Sequence, residues 1–159
     1  MFHFKHPGLA RSGVAGLCLG GVLLIAGCGA QVEAPPEVAI RQDGFEALGG
    51  AFKTINDQLK TEAPDMAAIA AAAERMDGLA QELPSWFPEG SGPDQGFETE
   101  ALPAIWAEPE KFSAAAQQLA TATAALREAA ATGDAAAVAA QVPQVGAACK
   151  TCHESFRAE

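Results

Sequence analysis

Tyrosine is absent, aromatic residues make up 6% of the 159 positions, and 10 Lys and Arg face 20 Asp and Glu. So few bases exclude a nucleic-acid partner, whose phosphates need a basic face. Histidine is almost missing as well. Of the 3 present, His3 and His6 lie at the very start, leaving His153 alone in the body of the chain. One imidazole is too few for a histidine-rich metal site or for a paired general acid and base. No β-branched alternating segment suggests a sheet, and the length suits one domain with one core rather than a multidomain enzyme. What is plentiful excludes disorder: 49% of residues are hydrophobic, and they recur periodically.

The two ends of the chain carry different charge. Lys5 and Arg11 are the only charges before Cys28, which leaves 8 of the 10 bases against all 20 acids beyond it, a net charge of −12. Those two bases precede an apolar run from Val14 to Gly27 that ends in Leu24-Ile25-Ala26-Gly27-Cys28. A basic start, a short apolar stretch and small residues at its end describe a bacterial export signal. The run is about half the length needed to cross a bilayer. Leu-Ile-Ala-Gly-Cys resembles the lipobox of bacterial lipoproteins. The resemblance implies cleavage after residue 27 and acylation of Cys28, whose buried methylenes would each contribute about 0.8 kcal/mol of anchoring. Gly29, where members kept in the inner membrane often carry Asp, favours the outer membrane. Residues 28–37, with Pro35-Pro36, read as an extended tether. The competing reading is cleavage after Ala30, which would release a soluble periplasmic protein.

Residues 38–159 are expected to form the folded unit, rich in Ala, Leu, Gln and Glu and therefore helical. Phe45, Leu48, Phe52, Ile55 and Leu59 fall on one stripe of a helix from about Glu37 to Lys60. Pro64 is expected to open a second helix, with Met66, Ile69, Ala73, Met76, Ala80 and Leu83 inward. Prolines and glycines from Pro84 to Pro103 mark a long loop, in which Trp86 and Phe87 cover apolar surface. Ile105 and Trp106 are expected on a short turn. Pro109 opens a third helix with Phe112, Ala116, Leu119, Thr123 and Leu126 inward. Gly133 stops it and Asp134 caps a fourth, which Pro143 should kink and which runs to about Arg157. Four amphipathic helices with mostly short connections make an all-α, antiparallel four-helix bundle. Its alanines permit close packing but leave a thin core that something bulky and apolar would help fill.

Cys149-Lys150-Thr151-Cys152-His153 is the chemical signature of the chain. In an exported protein, Cys-x-x-Cys-His reads as covalent attachment of one haem c. On a helix the two thiols lie a turn apart on one face, matching the two vinyl groups they add to, and His153 offers an imidazole nitrogen to the iron. A zinc site would need two further ligands, yet beyond the start there is no other His, and the only other Cys there is Cys28. A thioredoxin-like dithiol normally sits at a helix N-terminus after a strand. A structural disulfide would leave His153 unexplained.

The stretch Val145-Gly146-Ala147-Ala148-Cys149-Lys150-Thr151-Cys152-His153-Glu154-Ser155-Phe156-Arg157 resembles the ending of cytochromes c′. Ala101-Leu102-Pro103-Ala104-Ile105-Trp106, followed by Pro109 and Phe112, is similar to the same family, as is Arg41-Gln42-Asp43-Gly44-Phe45-Glu46 in the first helix. The resemblance implies a haem between the helices near the C-terminal one, with His153 as proximal ligand. The family's distal position, four residues after its Arg, is Phe45. The related cytochrome c556 type supplies a Met from this helix, and this chain has none between the signal and Met66. Phe45 would therefore cap a five-coordinate site, while Met66 and Met76 are the only other candidates for a sixth ligand. Arg157 matches the family's basic residue on the proximal side, against the plainer reading of a solvated Arg at a helix end. Arg41 would approach a haem propionate, against a surface ion pair. Many family members are homodimers, and Gly44, Gly49 and Gly50 would let the first helix approach a second copy closely.

An open position behind an apolar cap admits NO and CO to ferrous iron but offers water, anions and O₂ no hydrogen bond. The expected function is electron transfer, binding of NO or CO, or both, with a redox partner the sequence does not name. No catalytic residue is assigned. The rivals are a six-coordinate, cytochrome c556-like electron carrier and a haem enzyme acting on NO or peroxide. The latter usually needs a distal acid or base.

Overall fold

A computed structural model describes residues 34–158. The expected signal, Cys28 and most of the tether lie outside the described residues. Helix α1, Pro36–Gln58, begins two residues inside the expected tether, because Pro36 at its first position has no backbone donor to leave unpaired. Helix α2, Met66–Glu82, starts two residues later than Pro64 suggests. Its cap is Asp65, whose carboxylate accepts from the backbone N–H of Ala67 and Ala68, both at 3.0 Å. Two short 3₁₀ turns, Leu83–Trp86 and Pro93–Gln95, punctuate the long loop. The expected turn around Trp106 is a single helical turn, α3, Ala104–Ala107.

Pro109 opens α4, Pro109–Ala131, as expected. Gly133 then takes a φ of +71°, a conformation that side chains resist, and Asp134 Oδ1 accepts from Ala136 N–H at 2.8 Å to start α5, Ala135–Phe156. Pro143 sits inside α5, which continues on both sides of it.

The four long helices make the bundle. Helix α1 packs on α2, α2 on α4 and α4 on α5, whereas among the described residues α1 and α5 form no comparable seam. Half of the buried positions of α2 and α4 are alanine, namely Ala72, Ala73, Ala80, Ala115, Ala116, Ala122 and Ala130, which lets their backbones approach closely. Ile55, Ile69 and Leu126 are fully buried in this core and contribute roughly 1.5–3 kcal/mol each by leaving water. The segment before α3 is pinned to the end of α5. Leu102 N–H donates to the Phe156 carbonyl at 2.9 Å, and Ala158 N–H to the Glu100 carbonyl at 2.8 Å.

Candidate functional site

Helical spacing sets Cys149 and Cys152 one turn apart on α5, and both thiols are free and half-buried against the core. They line a cavity of about 800 Å³, together with His153. The facing helix α1 contributes Phe45, Leu48 and Phe52 to the same cavity. The space therefore lies between α1 and α5, which among the described residues form no close seam. Its volume falls in the range of small-molecule and cofactor sites. Met76 also reaches its wall and is buried, while Met66 is not part of the wall.

The electrostatics suit neutral donors. Burial pushes the Cys149 thiol up, and burial together with its neighbour raises Cys152, so both stay protonated at neutral pH. Burial holds His153 below the ordinary imidazole range, the Arg157 charge lowers it further, and Glu100 pulls the other way. A neutral imidazole keeps a lone pair for a metal.

Both arginines line the cavity, but their partners differ from a sequence-only view. Arg41 makes no surface ion pair. It is 3% exposed, and its guanidinium donates to the Ser91 carbonyl at 2.8 Å, Ser91 Oγ at 3.2 Å and Thr99 Oγ1 at 2.6 Å. Its guanidinium carbon lies 5.2 Å from the centre of the Phe87 ring. Arg157 stays exposed at the end of α5, and its Nε donates to Glu100 Oε2 at 2.7 Å. Gly44 cannot serve a second copy of the chain, since its face of α1 is taken by Trp86. Gly49 and Gly50 remain open.

Phe45 meets Trp86 edge-on, with ring centres 5.4 Å apart, and Phe87 at 6.1 Å. Phe87 continues to Phe112 at 5.0 Å, and Phe112 to Phe156 at 5.4 Å. Ser91, Thr99 and Glu100 were invisible as site residues in the sequence, because the loop that carries them has no periodicity to place it. The arrangement fits a covalently held haem: a large space, paired thiols on one wall, an adjacent imidazole, and on the opposite wall the apolar Phe45, Leu48 and Phe52 beside a buried arginine.

The family model described as Cytochrome C′ matches residues 37–157. The cytochrome c′ of Pararhodospirillum photometricum is 35% identical over 127 residues, covering 78% of this chain and 99% of that protein. The crystal structure of cytochrome c′ from Thermochromatium tepidum superposes with a TM-score of 0.73 at 30% identity, covering 82% of this chain and 100% of its own. A cytochrome c′ with ligand-controlled dimer dissociation matches with the same figures: a TM-score of 0.73, 30% identity, 82% and 100% coverage. A carbon monoxide-bound variant of cytochrome c prime from Alcaligenes xylosoxidans gives 0.71 at 27% identity, with 80% and 98% covered. A ferrous variant of that protein with bound NO gives 0.70 at 27%, with 80% and 99% covered.

Proposed function

The chain belongs to the cytochrome c′ family, and from that premise we propose a periplasmic protein with a five-coordinate haem that carries electrons and binds NO or CO. It is a c-type cytochrome with one covalent haem c, as in its family. When bound, the haem supplies an iron that cycles between ferric and ferrous and takes a diatomic ligand on its open side. The chain supplies everything else. Cys149 and Cys152 would hold it through two thioether bonds, each thiol's sulfur and proton going to the two carbons of one vinyl group, so that no oxidant is needed. His153 would offer an imidazole nitrogen to the iron. Arg41, held by Ser91 and Thr99, offers a buried positive charge to a propionate, and Arg157 shapes the proximal side while paired with Glu100.

The observation that carries the reading is Phe45. It stands on the α1 wall of the cavity, whose other wall holds the two thiols and the imidazole, and a phenyl ring cannot ligate iron. Phe45, Leu48 and Phe52 make an apolar patch on this wall, apart from the polar Arg41, Gln42 and Glu46 that also line it, and NO and CO need no donor there. Relatives solved with CO and NO support the same reading. The test is the absorption spectrum of the reduced protein before and after CO. A high-spin spectrum converted by CO is expected, and Phe45→Ala should speed the conversion. A low-spin spectrum that resists CO would overturn it. Met76, at the cavity wall, favours a second reading as a six-coordinate electron carrier. Under that reading Met76→Leu would turn a CO-resistant spectrum CO-sensitive, and under ours it leaves the reduced spectrum unchanged.

Family members are haem proteins of electron transfer and gas binding, and we read this chain as non-enzymatic. Steady turnover of peroxide or NO with an electron donor would contradict that. We read residues 1–27 as an export signal that would carry the protein to the periplasm, with Cys28 as its lipid anchor to the outer membrane. Fractionation of cells expressing the parent and Cys28→Ala should move the variant from the membrane to the soluble fraction. Gly50, outside the cavity wall that includes Gly49, leaves an open position of α1 for a second copy, and sedimentation with and without CO would reveal a homodimer.

A further inference from the structure

Resting on the reading of Phe45 as the cap of the open iron side, we propose that Trp86 positions Phe45. Seated in a notch left by Gly44, it thereby sets how fast a diatomic ligand binds. A glycine inside α1 weakens the helix relative to alanine, by up to about fivefold in an equilibrium constant. Here it has a use. A Cβ at Gly44 would lie 2.5 Å from Trp86 Cη2, 2.7 Å from Cζ2 and 2.8 Å from Cζ3. Real side chains do not approach that closely, so only glycine admits the indole at this depth. Trp86 ends the first 3₁₀ turn, is 4% exposed, and does not line the cavity. It meets the site through the next residue of α1, Phe45, whose ring it contacts edge-on at 85°.

The loop that delivers Trp86 is itself anchored. Phe87 packs on Phe45, Phe112 and the Arg41 guanidinium, and Arg41 bonds to Ser91 and Thr99 farther along the loop. Phe45 is therefore held between two aromatic rings fixed to the body of the bundle. Moving it aside to admit a ligand means giving up those contacts. Aromatic pairs of this geometry are worth about two- to tenfold in an equilibrium constant.

The experiment uses the haem-loaded protein and measures the CO association rate and the infrared C–O stretching band. Trp86→Leu should bind CO about two- to tenfold faster than the parent, with a broadened or split band as Phe45 samples more positions. Trp86→Phe, which keeps a ring against Phe45, should restore most of the parent rate. In a Phe45→Ala background, Trp86→Leu should add nothing, because its effect has lost its carrier. Should Trp86→Leu fail to fold, Gly44→Ala displaces the indole instead and should shift rate and band in the same direction. If Phe45→Ala speeds CO while Trp86→Leu and Gly44→Ala leave rate and band unchanged, the positioning role is wrong and the cap survives. Equal acceleration by Trp86→Leu with and without Phe45 also overturns it. An unaltered rate in Phe45→Ala removes the cap itself.

Discussion

The α2–α4 seam and the α1–α5 side of the bundle are made from the same kind of amphipathic helix, yet one closes and the other holds a cavity. Along the closed seam half of the buried positions are alanine, so the backbones meet with less between them. Along the open side, Phe45 and Phe52 face Cys149, Cys152 and His153 across about 800 Å³. Closure is thus a matter of side-chain size at the facing positions, and the same bundle geometry yields a self-sufficient core on one side and a cofactor site on the other.

The strongest way to break that contrast is to deprive the open side of its sulfurs. Cys149→Ala with Cys152→Ala should abolish covalent haem, read as loss of the haem-stained band on a denaturing gel. A stained band of full intensity would break the contrast. Next comes Leu126→Ala, at a fully buried position of α4. It should cost about 2–5 kcal/mol in urea unfolding while leaving the reduced and CO spectra as they were. Ala73→Leu, at an equally buried point of α2, should cost about 1–3 kcal/mol because extra methylenes have nowhere to go. If it is tolerated without loss, the closed seam is looser than its alanines imply.

The smallest effect is expected outside both regions. Asp57 is exposed and bonded to Lys53 and Lys60, which hold its carboxyl below the usual carboxylate range. A lowered folded-state pKa adds stability above the ordinary carboxylate range, and this fades as pH falls through the folded value. Asp57→Asn should therefore differ slightly from the parent at neutral pH and converge with it in acid, with no effect on CO binding.

The helical stripes were readable because periodicity is a local property: Leu48, Ile55, Ile69, Leu126, Val138 and Val145 are buried as their spacing requires. The attachment motif was readable for the same reason, since five consecutive residues on one helix fix their own relative placement. The Arg41 partners were not. Ser91 and Thr99 lie 50 and 58 positions away, in a loop whose prolines and glycines say where helix ends but not where the chain goes next. Glu100 likewise finds Arg157 only because the segment before α3 pairs with the end of α5. Gly44 looked like a surface for a second copy, and only the packed structure shows the indole that fills it.

Local chemistry in the chain determined the helices, their caps at Asp65 and Asp134, and the paired thiols with their adjacent imidazole. Tertiary structure decided which two helices stay apart, which loop aromatics brace Phe45, and whom the buried arginine serves. The division follows from range. Backbone hydrogen bonds and helical spacing act over a few residues, whereas the width of a gap between two helices depends on every side chain that packs around it.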